Sequence, residues 1–220
     1  MIHEYLKTKP KILIKATIRF FGSDMQDEFT EFDRSDSWDD VLEEVDEQAY
    51  YANRNQSQQA AKLNMCDNRY CNVLPFDDHR VKLSDESSDY INASLVKVAA
   101  ANREYIVSQG PLDHTAGRFW LMIWQKKCPG IVMLTKLYHG DMVICDLYYP
   151  DEVACGEDNV VKFQSEGLTL ALMSKETSSN GYILRKFKLT DVKTLRKTLV
   201  HMFLEQYLPL CTTLPVYIVA

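Results

Sequence analysis

Tyr90-Ile-Asn-Ala-Ser-Leu-Val-Lys-Val98 and Glu104-Tyr-Ile-Val-Ser108, followed by Asp113-His-Thr-Ala-Gly-Arg-Phe-Trp-Leu-Met-Ile-Trp-Gln-Lys-Lys127, decide the fold class. The first two are short runs rich in β-branched and aromatic residues, separated by turn residues, which is the pattern of an antiparallel hairpin. In the third, Phe119, Trp120, Met122, Ile123 and Trp124 crowd a broad apolar face and lysines close the end, the pattern of a helix buried against a sheet. Working outward, Ile131 to Leu134, Val143 to Tyr149, Val160 to Phe163, Leu168 to Met173 and Gly181 to Leu189 read as further strands, several of them joined as hairpins. Upstream, Ser37 is placed to cap a helix on which Trp38, Val41, Leu42, Val45 and Ala49 recur at helical spacing. The expectation is an α/β fold: a twisted mixed sheet with antiparallel hairpins, flanked by helices.

Composition bounds the function. With 220 residues, 46% of them hydrophobic and 25% charged, the chain can bury a sizeable core, which excludes disorder, collagen and a small disulfide scaffold. Lysine plus arginine total 25 against 31 acids, a net charge of −6, and no long basic run offers nucleic acid a footprint. The six cysteines, Cys66, Cys71, Cys128, Cys145, Cys155 and Cys211, form neither a Cys-x-x-Cys pair nor a cluster with histidine. That argues against zinc and against a disulfide framework, and it fits a reducing compartment, the cytoplasm. No metal or cofactor is implied.

The two ends read differently from the middle. Lys7, Lys9, Lys11, Lys15 and Arg19 face only Glu4, whereas Asp24 to Glu47 holds twelve acids and one base, Arg34; each block reads as a solvated face. Within the leader, Ile12 to Phe21 allows a targeting or membrane-surface helix, or else a poorly ordered arm or extra strand. The tail, Leu199 to Ala220, is apolar without a clear period. Pro209, Pro215, His201 and Glu205 argue against a membrane anchor there, since a span needs roughly 20 uninterrupted apolar residues.

Asn68-Arg-Tyr-Cys-Asn-Val-Leu-Pro-Phe-Asp-Asp-His-Arg-Val81, Asp89-Tyr-Ile-Asn-Ala-Ser94, Tyr105-Ile-Val-Ser-Gln-Gly-Pro-Leu112, Phe119-Trp-Leu-Met-Ile-Trp124, and Ile131-Val-Met-Leu134 followed by Cys145 and Tyr148-Tyr-Pro150 occur in this order. They resemble the ordered motifs of the non-receptor protein-tyrosine phosphatases, and Glu28 to Trp38 is similar to the leading helices of the subgroup around the T-cell protein-tyrosine phosphatase. The resemblance implies a leader at residues 1–27, a partial phosphatase domain at 28–193 lacking its C-terminal catalytic half, and a divergent apolar tail at 194–220. It makes Asn68, Arg69 and Tyr70 the phosphotyrosine-recognition loop, with Arg69, Tyr70 and Asn72 as substrate-binding residues and a phosphotyrosine-containing protein as partner. The Tyr70 ring then forms one wall of a slot too deep for phosphoserine to span; without the resemblance, a turn tyrosine packed on its own sheet reads equally well. Asn72 stands where the family usually carries an aspartate, Cys71 where it carries a basic residue, and Ile144 where relatives often have lysine. Asp89, Asn92, Arg80 and Gln109 are expected to satisfy buried backbone, and Trp120 and Trp124 to be core.

Family chemistry needs a thiolate in His-Cys-x5-Arg, where backbone N–H groups and a helix N-terminus cradle the phosphate. Six residues after the cysteines stand Asn72, Asp77, Leu134, Asp151, Val161 and Tyr217, never arginine, and no Trp-Pro-Asp occurs. The implied chain is a catalytically silent member of the family, its tail being a genuine truncation or the product of an alternative exon, shifted frame or incomplete gene model. Two alternatives stay open: a pseudophosphatase module that binds phosphotyrosine or a partner, and an adaptor working through the acidic segment or the basic leader.

Overall fold

The computed structural model describes residues 23–35, 38–85, 87–98, 102–151, 160–178, 182–205 and 217–219. The basic leader, the Ser37 cap and most of the tail lie outside the described residues. The chain divides into two compact units, residues 1–56 and 57–220. The first contains α1 (Ser23–Ser35) and α2 (Trp38–Asn53). Here Asp27, Glu31, Asp33, Asp40, Glu43, Glu44 and Glu47 are exposed, Arg34 pairs with Glu31 one turn away, and Gln48 donates to Glu44 at 3.0 Å. Helix α1 begins at Ser23, within the stretch read as leader.

The second unit is built on one sheet. Its strands are β1 (Ala93–Val98), β2 (Arg103–Ser108), β3 (Gly130–Met133), β6 (Val160–Phe163), β7 (Leu168–Thr177), β8 (Tyr182–Asp191), β9 (Lys197–Glu205) and β10 (Tyr217–Val219). They lie in the order β1-β2-β10-β3-β9-β8-β7-β6. All neighbours are antiparallel except β3 and β9, which run parallel with Gly130 opposite His201. The sheet is therefore mixed, with antiparallel hairpins, as the sequence pattern implies. Two shorter strands, β4 (Tyr138–His139) and β5 (Met142–Val143), form a separate hairpin, and α3 (Gln59–Leu63) opens the unit.

The core lies between the sheet and α4 (Ala116–Lys126), entered through a 3-10 turn at Asp113–Thr115. Strand alternation sets the inner face: Ile183, Arg185, Phe187 and Leu189 of β8 are buried while Tyr182, Leu184, Lys186 and Lys188 are only half-buried. Against that face α4 sets Phe119, Trp120, Met122 and Ile123, all essentially without solvent access. Trp120 meets Phe187 edge-on at 5.7 Å and Phe119 meets Tyr148 at 5.1 Å, arrangements that aromatic quadrupoles favour.

Two departures from the sequence pattern have physical causes. The apolar run Val143 to Tyr149 is a strand only as far as Val143; the rest is an irregular strap over α4. Its backbone is satisfied off the ladder: Trp120 Nε1 donates to the Tyr148 carbonyl at 2.7 Å, and the Leu137 carbonyl accepts from the Ile144 and Cys145 N–H groups at 2.8 and 3.2 Å. Ile144, Cys145, Tyr148 and Tyr149 are apolar because the strap is buried. Conversely, the period-free stretch from Leu199 contributes most of β9, an interior strand of the sheet. Val200 and Met202 point into the core, but Leu199 and Phe203 occupy the other face, so the alternation of burial is invisible in hydropathy.

Candidate functional site

Residues 68–72 form a loop held by three sets of contacts, each traceable to the sequence around it. The first is the N-terminus of α3. Asp77 accepts the Ser57 hydroxyl and the N–H groups of Gln59 and Ala60, the last two at 2.8 and 3.0 Å. These bonds, the serine's first, hold its carboxyl below the ordinary 3.8. The contact fastens the segment after the loop to the helix before it.

The second set centres on Asn68. Its side-chain amide donates to the carbonyls of Ala61 and Asn64 at 3.0 and 3.1 Å. Its oxygen accepts the Tyr90 hydroxyl and, at 2.9 Å, Asn92 Nδ2. All four hydrogen-bonding positions of the amide are thus used. Burial, against the lowering effect of this bond, pushes the Tyr90 hydroxyl far above its ordinary 10.0, so the phenol stays a donor. Asn92 Nδ2 also reaches the Val73 carbonyl at 2.9 Å, closing the loop from its far end.

The third set is Arg69. Its backbone N–H donates to Gln109 Oε1 at 2.8 Å, while Gln109 Nε2 donates to the Asp67 carbonyl at 2.8 Å, so one buried glutamine spans both sides of the loop. The Arg69 guanidinium, 9% exposed, turns inward and donates to the carbonyls of Gly110 (3.0 Å) and Pro111 (2.6 Å) and to the Asp146 carboxylate (2.6 Å). Asp146 belongs to the strap after β5, and its partnership with Arg69 had no signal in the sequence.

With Asn68 and Arg69 fixed from beneath, the loop presents Tyr70, half-buried, and Cys71 and Asn72, both exposed. Of the three residues expected to bind substrate, Asn72 is exposed and Tyr70 half-buried, whereas Arg69 has its guanidinium committed to the protein. Beneath the loop a cavity of about 10 Å³, lined by Asp67, Tyr90, Asn92 and Gln109 among others, has the room of a single water. Ligands are excluded from below.

Cys66 and Cys71 are exposed, Cys128 and Cys145 are buried, and burial pushes the Cys128 thiol up to about 11, keeping it protonated at neutral pH. Cys155 and Cys211 lie outside the described residues. Among the described residues no group of three or more His, Cys, Asp or Glu side chains is placed to hold a metal ion.

Residues 64–207 match the family model described as protein-tyrosine phosphatase. The chain belongs to the protein-tyrosine phosphatase family. The matched stretch contains the whole of the loop, α4 and β1 to β9. Relatives of this chain include tyrosine-protein phosphatase non-receptor type 61F of Drosophila melanogaster, 39% identical over 164 residues, which are 74% of this chain and 29% of that protein. The human non-receptor type 2 enzyme is 37% identical over 155 residues, 69% of this chain and 35% of its own length. Human non-receptor type 13 is 40% identical over 135 residues, 60% of this chain and 5% of that protein. The chain thus spans about a third or less of each of these relatives. No described helix is long and apolar enough to cross a membrane.

Proposed function

We propose that this chain forms the phosphotyrosine-recognition part of a protein-tyrosine phosphatase domain, and that its 220 residues do not hydrolyse phosphotyrosine by themselves. The observation that carries the reading is the loop clamped at Asn68 and Arg69 and presenting Tyr70 and Asn72. A rigid loop sets the depth of an aromatic slot, and depth is what separates phosphotyrosine from phosphoserine. In this reading the Tyr70 ring stacks on the substrate ring, the Asn72 amide oxygen accepts a peptide N–H, and Arg69 serves as the positioning residue that holds both. With asparagine in place of a carboxylate, that peptide contact lacks the strengthening that a charged acceptor gives.

The silence in catalysis rests on the sequence: no cysteine is followed six residues on by arginine, and no Trp-Pro-Asp supplies a general acid. Dephosphorylation by this fold then requires a nucleophile loop supplied from outside these residues. The partner is a phosphotyrosine-containing protein. The cytoplasm is its compartment in this proposal, on the non-receptor names of the type 61F and type 2 relatives and on the exposed thiols of Cys66 and Cys71.

Calorimetry with a phosphotyrosyl peptide and its unphosphorylated twin tests recognition. The expected result is a preference for the phosphorylated form that Tyr70→Ala removes; equal binding of both peptides sinks it. Release of phosphate by the purified chain, abolished when one cysteine is replaced by serine, overturns the assignment of silence.

A further inference from the structure

Away from the recognition loop, a groove of about 460 Å³ opens where α4 ends. Its origin is geometric. Helix α4 stops at Lys126 and the chain turns through Cys128 and Pro129 into β3, so cover over the inner face of the β1–β2 hairpin thins beyond that point: Ile106 is still only 4% exposed, Leu95 half-buried and Lys97 exposed. On this face Ala93 pairs with Ser108, Leu95 with Ile106 and Lys97 with Glu104. Leu95 and Ile106 form the floor, Val81, Cys128 and Pro129 add apolar wall, and Glu104, held by Lys97 at 2.7 Å, lies at the far end. The volume falls in the range of about 300–1,000 Å³ typical of ligand pockets.

Charge is the second feature. Arg80 and Lys82, from the segment before β1, and Lys126 and Lys127, from the end of α4, all line the groove, with Glu104 the one acid among the lining residues. Arg80 is committed to Asp89 at 2.8 Å. Among the described residues none of Lys82, Lys126 and Lys127 has an ion-pair partner, and all three are exposed. The helix dipole accounts for a cation at Lys126, but not for Lys82, which belongs to another segment. Lys127 sits in the left-handed region at φ 55° as the cap of α4, a position where glycine is the unstrained residue. In a chain of net charge −6 this concentration of unpaired cations around an apolar floor is a local reversal.

We propose that this groove is a docking site for an acidic segment of a partner protein, in which one or two apolar side chains enter between Leu95 and Ile106 and flanking carboxylates meet Lys82, Lys126 and Lys127. The site is independent of the phosphotyrosine reading and uses neither Tyr70 nor Asn72. Apolar floor and basic rim together select against both a plain hydrophobic peptide and a plain polyanion.

The test is fluorescence anisotropy on the full chain with a labelled peptide of sequence Glu-Glu-Asp-Leu-Phe-Asp-Glu-Glu. Saturable binding is expected, weakened about tenfold or more by the combined Lys82→Glu, Lys126→Glu and Lys127→Glu variant, and by a similar factor when serines replace the peptide's Leu-Phe pair. All three lysines are exposed, so the variant keeps the fold, which circular dichroism verifies. Absence of saturable binding overturns the proposal. So does a charge-reversed variant that binds as tightly as the parent, or a serine peptide or poly-glutamate that competes equally well, since either of the last two reduces the groove to general attraction for anions.

Discussion

Replacing Arg69 by methionine separates a residue that holds the recognition loop from one that touches substrate. The substitution keeps most of the aliphatic stem but removes three charged hydrogen bonds, to Gly110, Pro111 and Asp146 at 3.0, 2.6 and 2.6 Å. Breaking a buried charge pair by removing one partner costs about 3–5 kcal/mol. The Asp146 side chain is 31% exposed and regains some water, so its stranded charge is screened. A loss of about 2–4 kcal/mol of folding free energy follows, which urea unfolding at pH 7 measures directly. The Asp146→Asn variant should lose less, and the double variant should lose about 1–2 kcal/mol less than the sum of the singles, because the interaction they share is removed only once. Phosphopeptide binding should weaken in step with the loosened loop, whereas Tyr70→Ala should impair binding out of proportion to its effect on the unfolding midpoint. If Arg69→Met changes stability by less than about 0.5 kcal/mol, or the cycle shows no coupling, the clamp does not hold the loop and the positioning role is wrong.

The other expectations concern the same scaffold. Asn68→Ala strands the Tyr90 hydroxyl, Asn92 and two carbonyls, so a loss of about 2–4 kcal/mol is expected in urea unfolding, with Tyr90→Phe costing about 1–2. Arg185 is buried in the inner face, its Nε and Nη1 without a hydrogen-bond partner among the described residues, its guanidinium 5.0 Å from the Tyr149 ring centre. Arg185→Met should therefore leave stability unchanged or raise it by about 1 kcal/mol; a loss above about 2 kcal/mol means that the cation is compensated. Asp77, Asp85 and Asp89 all lie below the ordinary 3.8, through hydrogen bonds from Ser57, the Ser87 N–H and Arg80 respectively. Each binds its proton less readily folded than unfolded, so the stability it contributes is full above about pH 4 and drains as pH falls below that. Urea midpoints measured from about pH 5 to pH 3 should fall, less steeply in Asp77→Asn than in the parent; equal slopes would remove Asp77 from the clamp.

What the sequence disclosed and what it withheld divide along one physical line, the distance over which an interaction is written in the chain. Strands β1, β2, β7 and β8 and helix α4 announce themselves because burial on one face leaves a local period of two or of three to four residues. Strand β9 escapes that rule. As an interior strand it carries apolar residues on both faces, Leu199 and Phe203 on one, Val200 and Met202 on the other, and only its pairing with β3 and β8 shows what it is. The strap after Val143 fails in the opposite direction: its apolar residues are buried by α4, not by a sheet, and its backbone is satisfied by Trp120 and by the Leu137 carbonyl. The recognition loop repeats the division within five residues. A motif pointed to Arg69, Tyr70 and Asn72 together, yet whether a side chain faces outward or is tied inward depends on partners far away in sequence. Gln109 is 40 residues from Arg69 and Asp146 is 77. The same nonlocality produced the basic groove, where Lys82, Lys126 and Lys127 look like ordinary surface lysines until the end of α4 and the β1–β2 hairpin set them around one apolar floor.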